Sequence, residues 1–282
     1  MPLGRLLGGG RGVWVLGMLY HGVRIFLTCL LIAGFGAQSA AQIAAVPEAG
    51  RSTLVDNRQA PARLTVAAIG DSLGDGLWEG LYRRLHDDKR FVVFRGARHS
   101  VGFTASDMTE QIDAAFAAAP VDALVIMIGA NDDRRSFFIN GKSVALFGSK
   151  PWIELYRGRI EKFMDHAGRR QVPLVWVLLP VMRTSEATAA AHLINDIVTE
   201  AAQSRSFVTL VPIWSITTDD RGAYMPYFND LKGKKRLMRH SDGLHFTEPG
   251  YELLGFITFN KLLEISPLFR ATAPQAAGSA VR

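Results

Sequence analysis

Five short apolar runs, separated by segments with helical patterning, constrain the fold of this chain more than any other feature of its sequence. The runs are Leu64–Ile69, Phe91–Phe94, Ala123–Ile128, Val172–Leu179 and Phe207–Val211. They are apolar at successive positions, which is typical of strands covered on both faces. The intervening segments carry apolar residues three or four apart, as amphipathic helices do. This alternation predicts an α/β fold with a parallel sheet between two layers of helices.

One segment interrupts the alternation. Residues Arg134–Lys150 follow the third run and contain Asn140–Gly141 between Phe137–Ile139 and Val144–Phe147. An Asn-Gly pair between two apolar runs predicts a β-hairpin inserted after the third strand.

The N-terminal 41 residues have the composition of a secretory signal. They contain three arginines and no acidic residue, are apolar from Ile25 to Ala37, and end in small residues through Ala41. We expect cleavage after Ala41 and a periplasmic or secreted protein. A retained membrane anchor is the alternative, but the uncharged run is shorter than the ~20 residues that a helical span needs. No stable membrane span is expected after cleavage.

The rest of the chain is predicted to contain one domain. Residues 42–62 have the composition of a linker, residues 63–270 form the α/β domain, and residues 271–282 are expected to be a disordered tail. The 48% hydrophobic content excludes a disordered chain, and one cysteine excludes a disulfide framework. Without the three signal arginines the net charge falls from +6 to +3, so a nucleic-acid partner is not expected.

Polar residues follow the predicted strands at the edge where parallel sheets bind ligands. The segments are Gly70–Gly74 after the first run, Ser100–Phe103 after the second, Gly129–Asp132 after the third, and Asp242–His245 before the last helix. Together they supply a hydroxyl, an Asp/His pair, a side-chain amide and backbone N–H donors.

Each of these residues has two interpretations when taken alone. Ser72 is a nucleophile or a helix N-cap. His245 would take its proton while Asp242 orients the imidazole, or both are surface residues. Asn131 donates to an oxyanion or caps a turn. Gly102 adds a backbone N–H or provides a positive φ.

The four segments together resemble the SGNH (GDSL) hydrolases over about Leu64 to Leu263. Further motifs resemble a secreted bacterial branch catalogued mainly as a domain of unknown function: Trp176–Arg183, Tyr156-x-x-Arg159 and Arg239-x-x-Asp242-Gly243-x-His245. The resemblance implies a three-layer, flavodoxin-like fold with a central five-stranded parallel sheet. It also implies ester hydrolysis without a metal or other cofactor.

The resemblance also assigns roles by position. Ser72 is expected to be the nucleophile, His245 the base and Asp242 its orienting carboxylate. The Ser72 N–H, the Gly102 N–H and the Asn131 side chain are expected to form the oxyanion hole. Asp71 is expected to lie outside the triad.

Other interpretations of the motifs fit less well. Gly70–Gly74 also matches the nucleophile elbow of α/β-hydrolases, but those enzymes place the serine after several strands, and here it follows the first. Asp132–Asp133 and Asp219–Asp220 lack a histidine at ligand spacing, which disfavours a metal site. The basic run from Lys232 to Arg239 would meet an anionic substrate or form a solvated loop.

The sequence therefore predicts a secreted serine esterase acting on O-acyl esters, with O-acetyl groups on cell-envelope carbohydrate as the expected substrate. A lipase or thioesterase is the alternative if Phe137, Phe138 and Phe147 of the insertion line the cleft. An O-acyltransferase with the same triad and a non-catalytic envelope-binding domain are further alternatives. A phosphate-binding module is disfavoured because the first loop lacks the lysine of a P-loop.

Overall fold

The computed structural model describes residues 63–272, which fold into a parallel sheet, two hairpins and six helices. The strands are β1 (Leu64–Gly70), β2 (Phe91–Arg95), β3 (Ala123–Met127), β4 (Phe137–Ile139), β5 (Lys142–Ala145), β6 (Leu174–Val177), β7 (Val208–Val211), β8 (Tyr227–Asn229) and β9 (Lys235–Leu237). The helices are α1 (Ser72–Leu85), α2 (Thr109–Ala118), α3 (Lys150–Gly168), α4 (Ser185–Ala202), α5 (Glu248–Ile265) and α6 (Pro267–Thr272).

The central sheet has the strand order β2-β1-β3-β6-β7, and every neighbouring pair is parallel. All residues of β1 and β3 are buried, as expected for central strands with helices on both faces. The predicted α/β fold with a five-stranded parallel sheet is confirmed. Because the strands are parallel, the loops that follow β1 and β3 leave from the same edge.

The helices form as the apolar spacing predicts. Leu77, Leu81 and Leu85 lie on the buried face of α1. Helix α3 begins after Ser149, whose hydroxyl accepts the Trp152 N–H, with Pro151 in the first turn. Helix α1 packs against α5, and α3 packs against α2 and α4.

The α1–α5 contact depends on small residues. A Cβ atom on Gly80 would lie 1.9 Å from the carbonyl oxygen of Tyr251, and one on Gly255 would lie 2.4 Å from the carbonyl carbon of Gly80. The two backbones therefore touch directly. This contact fixes α5 against the helix that begins at Ser72, and α5 itself follows the loop that carries His245.

The predicted hairpin is present, but its second strand is displaced. Strand β5 spans Lys142–Ala145, whereas the sequence predicted Val144–Phe147. Asn140 and Gly141 both have positive φ (49° and 76°), so they form a two-residue turn and pairing resumes at once, with Ile139 opposite Lys142. The apolar residues 144–147 gave the wrong start for this strand, because β5 is exposed and begins with two polar residues, Lys142 and Ser143.

A second hairpin, formed by β8 and β9, was not predicted. Its second strand lies within the basic run, which gives no apolar signal. Strand β6 is also shorter than its predicted run, although Pro173 and Leu178 on either side of it still make backbone hydrogen bonds to Leu124 and Val211.

Two of the predicted regions lie outside the described residues: the signal peptide with its linker, and the tail from residue 273 onward. Helix α6 continues to Thr272, two residues beyond the predicted end of the domain at residue 270. Within residues 63–272, no helix combines the length and the hydropathy that crossing a bilayer requires.

We expect Gly80→Ala to lower the free energy of unfolding by about 1–3 kcal/mol, because the added methyl group would displace the backbone of α5. The matched control is Gly158→Ala in the middle of α3, where nothing lies within 4 Å of the added Cβ. That variant should gain about 0.5–1 kcal/mol from helix propensity. Urea denaturation measures both, and equal effects of the two substitutions would contradict the packing described.

Candidate active site

Ser72 is the first residue of α1, and the turn before it has an unusual backbone. Gly70 has φ +126°, and a Cβ there would lie 2.2 Å from the carbonyl oxygen of Met127, so only glycine fits. Asp71, and not Ser72, caps the helix, since its carboxylate accepts the Leu73 N–H at 2.8 Å. The N-cap interpretation of Ser72 is therefore wrong, and its hydroxyl points elsewhere.

The structure brings Ser72, His245 and Asp242 into one hydrogen-bonded chain. Ser72 Oγ lies 2.7 Å from His245 Nε2, and His245 Nδ1 lies 2.7 Å from Asp242 Oδ2. A carboxylate only accepts hydrogen bonds, so the ring proton is on Nδ1 and Nε2 is free to accept the Ser72 hydroxyl. This is the arrangement that activates a serine.

Asp242 is held in its ionised form. Partial burial opposes its charge, but hydrogen bonds from the His245 ring and from the backbone N–H groups of Leu244 and His245 outweigh this effect. They hold the pKa of Asp242 well below its ordinary value. The carboxylate therefore stays charged throughout the pH range in which a histidine titrates.

Two arginines hold the loop that carries Asp242 and His245. Arg239 is fully buried between the rings of Tyr224 and Phe246 and donates to the carbonyl oxygens of three residues, Val181, Gly243 and Leu244. Arg183 donates to the carbonyl oxygen of Ser241 at 2.5 Å. Burial lowers the pKa of Arg239 to about 10, so it remains charged at neutral pH.

Asn131 and Gly102 lie together at the same edge of the sheet. Asn131 Nδ2 donates to the carbonyl oxygen of Val101 at 3.0 Å and lies 3.5 Å from Asp71 Oδ2. Its second N–H therefore makes only a long contact. The backbone N–H groups of Ser72 and Gly102 have no acceptor within residues 63–272. These two backbone N–H groups are therefore free to donate to a ligand.

The alternative explanation of Gly102, a positive φ, is wrong. Its φ is not positive; instead, a Cβ there would lie 2.3 Å from Asp132 Oδ1. The buried Asp132 carboxylate accepts hydrogen bonds from the Phe103 N–H, the Thr104 N–H and hydroxyl, and the Tyr156 hydroxyl. It therefore fixes the backbone that presents the Gly102 N–H. The sequence indicated Asp132 as part of the third polar segment and as a possible metal ligand, but it did not indicate this structural role.

Arg159 supports the same loop from α3. Its guanidinium donates to the carbonyl oxygen of Phe103 at 2.6 Å and lies over the ring of Phe137. The Tyr156-x-x-Arg159 motif thus places two side chains, one turn apart, on the loop that contains Gly102.

The buried Asp71 carboxylate joins the strand ends. One oxygen caps α1, and the other accepts the backbone N–H groups of Gly129 and Ala130 at 3.0 and 3.1 Å. Burial raises the pKa of Asp71 to about 6, against the hydrogen bonds from Leu73 and Gly129. Asp71 does not belong to the hydrogen-bonded chain of Ser72, His245 and Asp242, but it connects the start of α1 to the loop that carries Asn131.

Two cavities flank the triad. A polar cleft of about 340 Å³ contains Ser72 and His245, and its other lining residues are Asp75, Gly76, Trp78, Glu79, Arg95, His99 and Tyr251. A second cavity of about 220 Å³ lies beside residues 129–130 and 242–244. Its apolar lining comes from Leu179, Met182, Ala187, Ala191, Ile194 and Leu244.

The polar cleft contains a charged cluster that the sequence analysis missed. Asp75, one turn after Ser72, accepts two hydrogen bonds from Arg95 at 2.6 and 2.7 Å and one from His99 Nε2 at 2.9 Å. Arg95 also lies over the Trp78 ring. The partners are about twenty residues apart in sequence, so short-range spacing gave no signal for this cluster.

The three phenylalanines of the insertion line neither cavity. Phe137 is buried beneath Arg159, Phe147 packs on Trp152, and Phe138 is exposed at the surface. These rings therefore give no support for a long acyl chain, since that expectation required them to line the cleft. The apolar lining beside Asp242 comes instead from the segment that follows β6, from α4 and from Leu244.

Solved structures share this architecture. A lipase/acylhydrolase from Enterococcus faecalis is 18% identical with a TM-score of 0.50, covering 73% of this chain and 98% of its own. A carbohydrate esterase family 3 protein from Talaromyces cellulolyticus is 12% identical (TM-score 0.50; 74% and 100% covered). A mutant acetyl-xylooligosaccharide esterase from Geobacillus Stearmophilus is 14% identical (TM-score 0.51; 74% and 97% covered). At these identities the likeness shows the fold alone. No curated protein matches the chain significantly.

The parallel strand order, with polar loops at one edge of the sheet, agrees with the fold that the sequence resemblance implied, and these solved structures share that fold. Residues 65–261 match the family described as "Protein of unknown function (DUF459)". The chain belongs to this family, and the resemblance to a branch catalogued as a domain of unknown function is confirmed.

The raised pKa of Asp71 predicts a pH effect on stability. The folded chain binds the Asp71 proton more tightly than the unfolded chain, in which the pKa of Asp71 is near 3.8. The contribution of Asp71 to the free energy of unfolding is therefore greatest below pH 4 and falls as the pH rises through about 6. The stability of the native protein relative to Asp71→Asn should therefore fall by about 3 kcal/mol across this range. Urea denaturation from pH 4 to 7 measures the difference. A difference that is constant or grows with pH would contradict the account.

Proposed function

We propose that this protein is a serine esterase that uses Ser72, His245 and Asp242. The observation that carries the proposal is the continuous hydrogen-bonded chain from Ser72 Oγ through the His245 ring to Asp242. His245 Nε2 takes the hydroxyl proton as Ser72 Oγ bonds to the ester carbonyl carbon. Asp242 stabilises the imidazolium that results.

The remaining steps use the same groups. The carbonyl oxygen becomes an oxyanion that accepts the N–H groups of Ser72, Gly102 and Asn131, near the N-terminus of α1. His245 then returns its proton to the alcohol oxygen as the ester C–O bond breaks, leaving an acyl-serine. Water, deprotonated by His245, attacks this ester, releasing a carboxylic acid and restoring the Ser72 hydroxyl.

The substrate that we propose is an O-acyl ester of a polar alcohol, with O-acetyl groups on cell-envelope carbohydrate as the preferred case. The polar cleft next to Ser72 supports this proposal, because Arg95, His99 and Glu79 offer hydrogen-bonding groups suited to sugar hydroxyls. The acetyl-xylooligosaccharide esterase among the solved structures acts on such an ester. An exported protein would meet these substrates, and the composition of residues 1–41 supports export.

We expect Asp242→Asn to reduce the rate of hydrolysis of a small ester such as p-nitrophenyl acetate by about 10³-fold or more. Whichever way the new amide turns, its NH₂ group meets either the His245 ring N–H or the backbone N–H groups of Leu244 and His245. The correct orientation of the imidazole is then lost.

His240→Gln is the matched control. His240 is exposed and its ring lies 3.4 Å from Asp242 without belonging to the chain that ends at Ser72. This variant should keep most of the activity. Equal losses in the two variants, or an unchanged rate in Asp242→Asn, would contradict the triad.

A second candidate, hydrolysis of esters or thioesters with longer acyl chains, is favoured by the 220 Å³ cavity. Its apolar lining begins beside the residues that precede Asn131, so it would accept an acyl chain that leaves the oxyanion hole on that side. Transfer of several methylene groups into such a lining is favourable by about 0.8 kcal/mol each.

Substitution within the cavity distinguishes the two candidates. Ala187→Phe would fill it, whereas Ala189→Phe places the same ring on the exposed face of α4. If long chains bind here, Ala187→Phe should lower kcat/KM for an octanoyl ester at least tenfold and leave the acetyl ester unchanged, while the control affects neither. Equal rates for all variants on both esters would exclude the cavity as the acyl site.

A further inference from the structure

The exposed apolar side chains are concentrated in the two hairpins. Eight large hydrophobic residues are exposed within residues 63–272, and seven of them belong to the hairpins. The β4–β5 hairpin (residues 137–147) carries Phe138, Ile139, Val144 and Leu146, and the β8–β9 hairpin (residues 227–237) carries Tyr227, Leu231 and Leu237. Scattered exposed residues are ordinary on protein surfaces, but such a concentration indicates a contact surface.

Both hairpins belong to the edge of the sheet that carries Ser72. The β4–β5 hairpin follows β3 and the segment that contains Asn131. The β8–β9 hairpin continues directly through Arg239 into the loop with Asp242 and His245. A surface that contacts both hairpins would therefore lie beside the candidate active site.

The hairpins carry a net positive charge, although the Arg236 guanidinium lies 3.8 Å from the Asp230 carboxylate. Lys232, Lys234, Lys235 and Arg236 are all exposed on the β8–β9 hairpin. The acidic residue there, Asp230, is turned inward and accepts the backbone N–H groups of Lys232 and Lys234. The β4–β5 hairpin has Lys142 at its turn and no acidic residue.

This combination selects one kind of partner. A second copy of the chain would bring like charges together if the β8–β9 hairpins met around a twofold axis. An anionic polysaccharide would pair with the lysines but would leave Leu231, Ile139 and Leu146 in water. A lipid surface with anionic headgroups would accept both the apolar side chains and the lysines. The aliphatic side chains would enter the region between headgroups and acyl chains, while the lysines would remain at the headgroups.

We propose that the two hairpins seat the protein on an anionic phospholipid membrane, with the candidate active site at the membrane surface. The proposal goes beyond ester hydrolysis and does not depend on it, because it concerns where the folded domain resides.

A local probe tests this proposal independently of residues 1–62. Cys29 is the only cysteine, so a Cys29→Ser chain allows single labels at Leu231→Cys, Leu146→Cys or Tyr82→Cys, each bearing a polarity-sensitive dye. Tyr82 is the matched control, because it is the eighth exposed apolar residue and lies on α1. With phosphatidylcholine vesicles that contain phosphatidylglycerol, we expect a blue shift for both hairpin labels and none for the Tyr82 label.

The charges have a separate test. Each lysine near an anionic surface should contribute about fivefold to vesicle partitioning, read from titration of the Leu146 label. Lys234→Gln should therefore weaken partitioning about fivefold, whereas Lys89→Gln, in the loop before β2 at the opposite edge of the sheet, should not. Vesicles of phosphatidylcholine alone should bind more weakly than those with phosphatidylglycerol.

Several results would overturn the proposal. One is the absence of a shift at the hairpin labels on anionic vesicles, even if the chain sediments with them. A shift that appears without vesicles and grows with protein concentration would assign the surface to a second copy. If Lys234→Gln and Lys89→Gln changed vesicle partitioning equally, the proposed attraction between the β8–β9 lysines and anionic headgroups would be wrong.

Discussion

The buried carboxylate of Asp71 is the interaction on which the candidate site depends. It caps α1 with one oxygen and binds the backbone of Gly129 and Ala130 with the other, so the helix that starts at Ser72 and the loop that carries Asn131 share one anchor. Burial makes this charge costly, as its raised pKa shows. What stabilises it is the convergence of N–H donors that parallel strands and a helix N-terminus supply at one edge.

Two more buried charged residues, Asp132 and Arg239, fix the other loops of the candidate site. Asp132 holds the loop of Gly102 against α3, and Arg239 holds the loop of His245 against Val181 in the segment after β6. Each satisfies several backbone groups that would otherwise be unpaired, which explains why charged residues are buried here. The loops that carry the candidate site residues are therefore held in place mainly by hydrogen bonds with three buried charged residues, Asp71, Asp132 and Arg239.

The sequence predicted the sheet and the residues at its carboxyl edge because continuous burial and short motifs are local signals. It did not predict β8–β9, whose strands are exposed and basic, and it shifted β5 by two residues because pairing after Asn140–Gly141 depends on turn geometry. It named Asp71 and Asp132 without their roles, and it missed the contact of Asp75 with Arg95 and His99. For the three carboxylates, the decisive partners are far apart in the chain, and only the folded topology brings them together.

The most direct test of the central claim is covalent labelling of the full chain with a fluorophosphonate, followed by peptide mapping. An activated serine reacts with this probe, whereas an ordinary surface serine does not. The account predicts one adduct per chain on Ser72, absent in Ser72→Ala and formed much more slowly in His245→Ala. Protein that is folded by circular dichroism yet gives no adduct, or gives one on another serine, would contradict it.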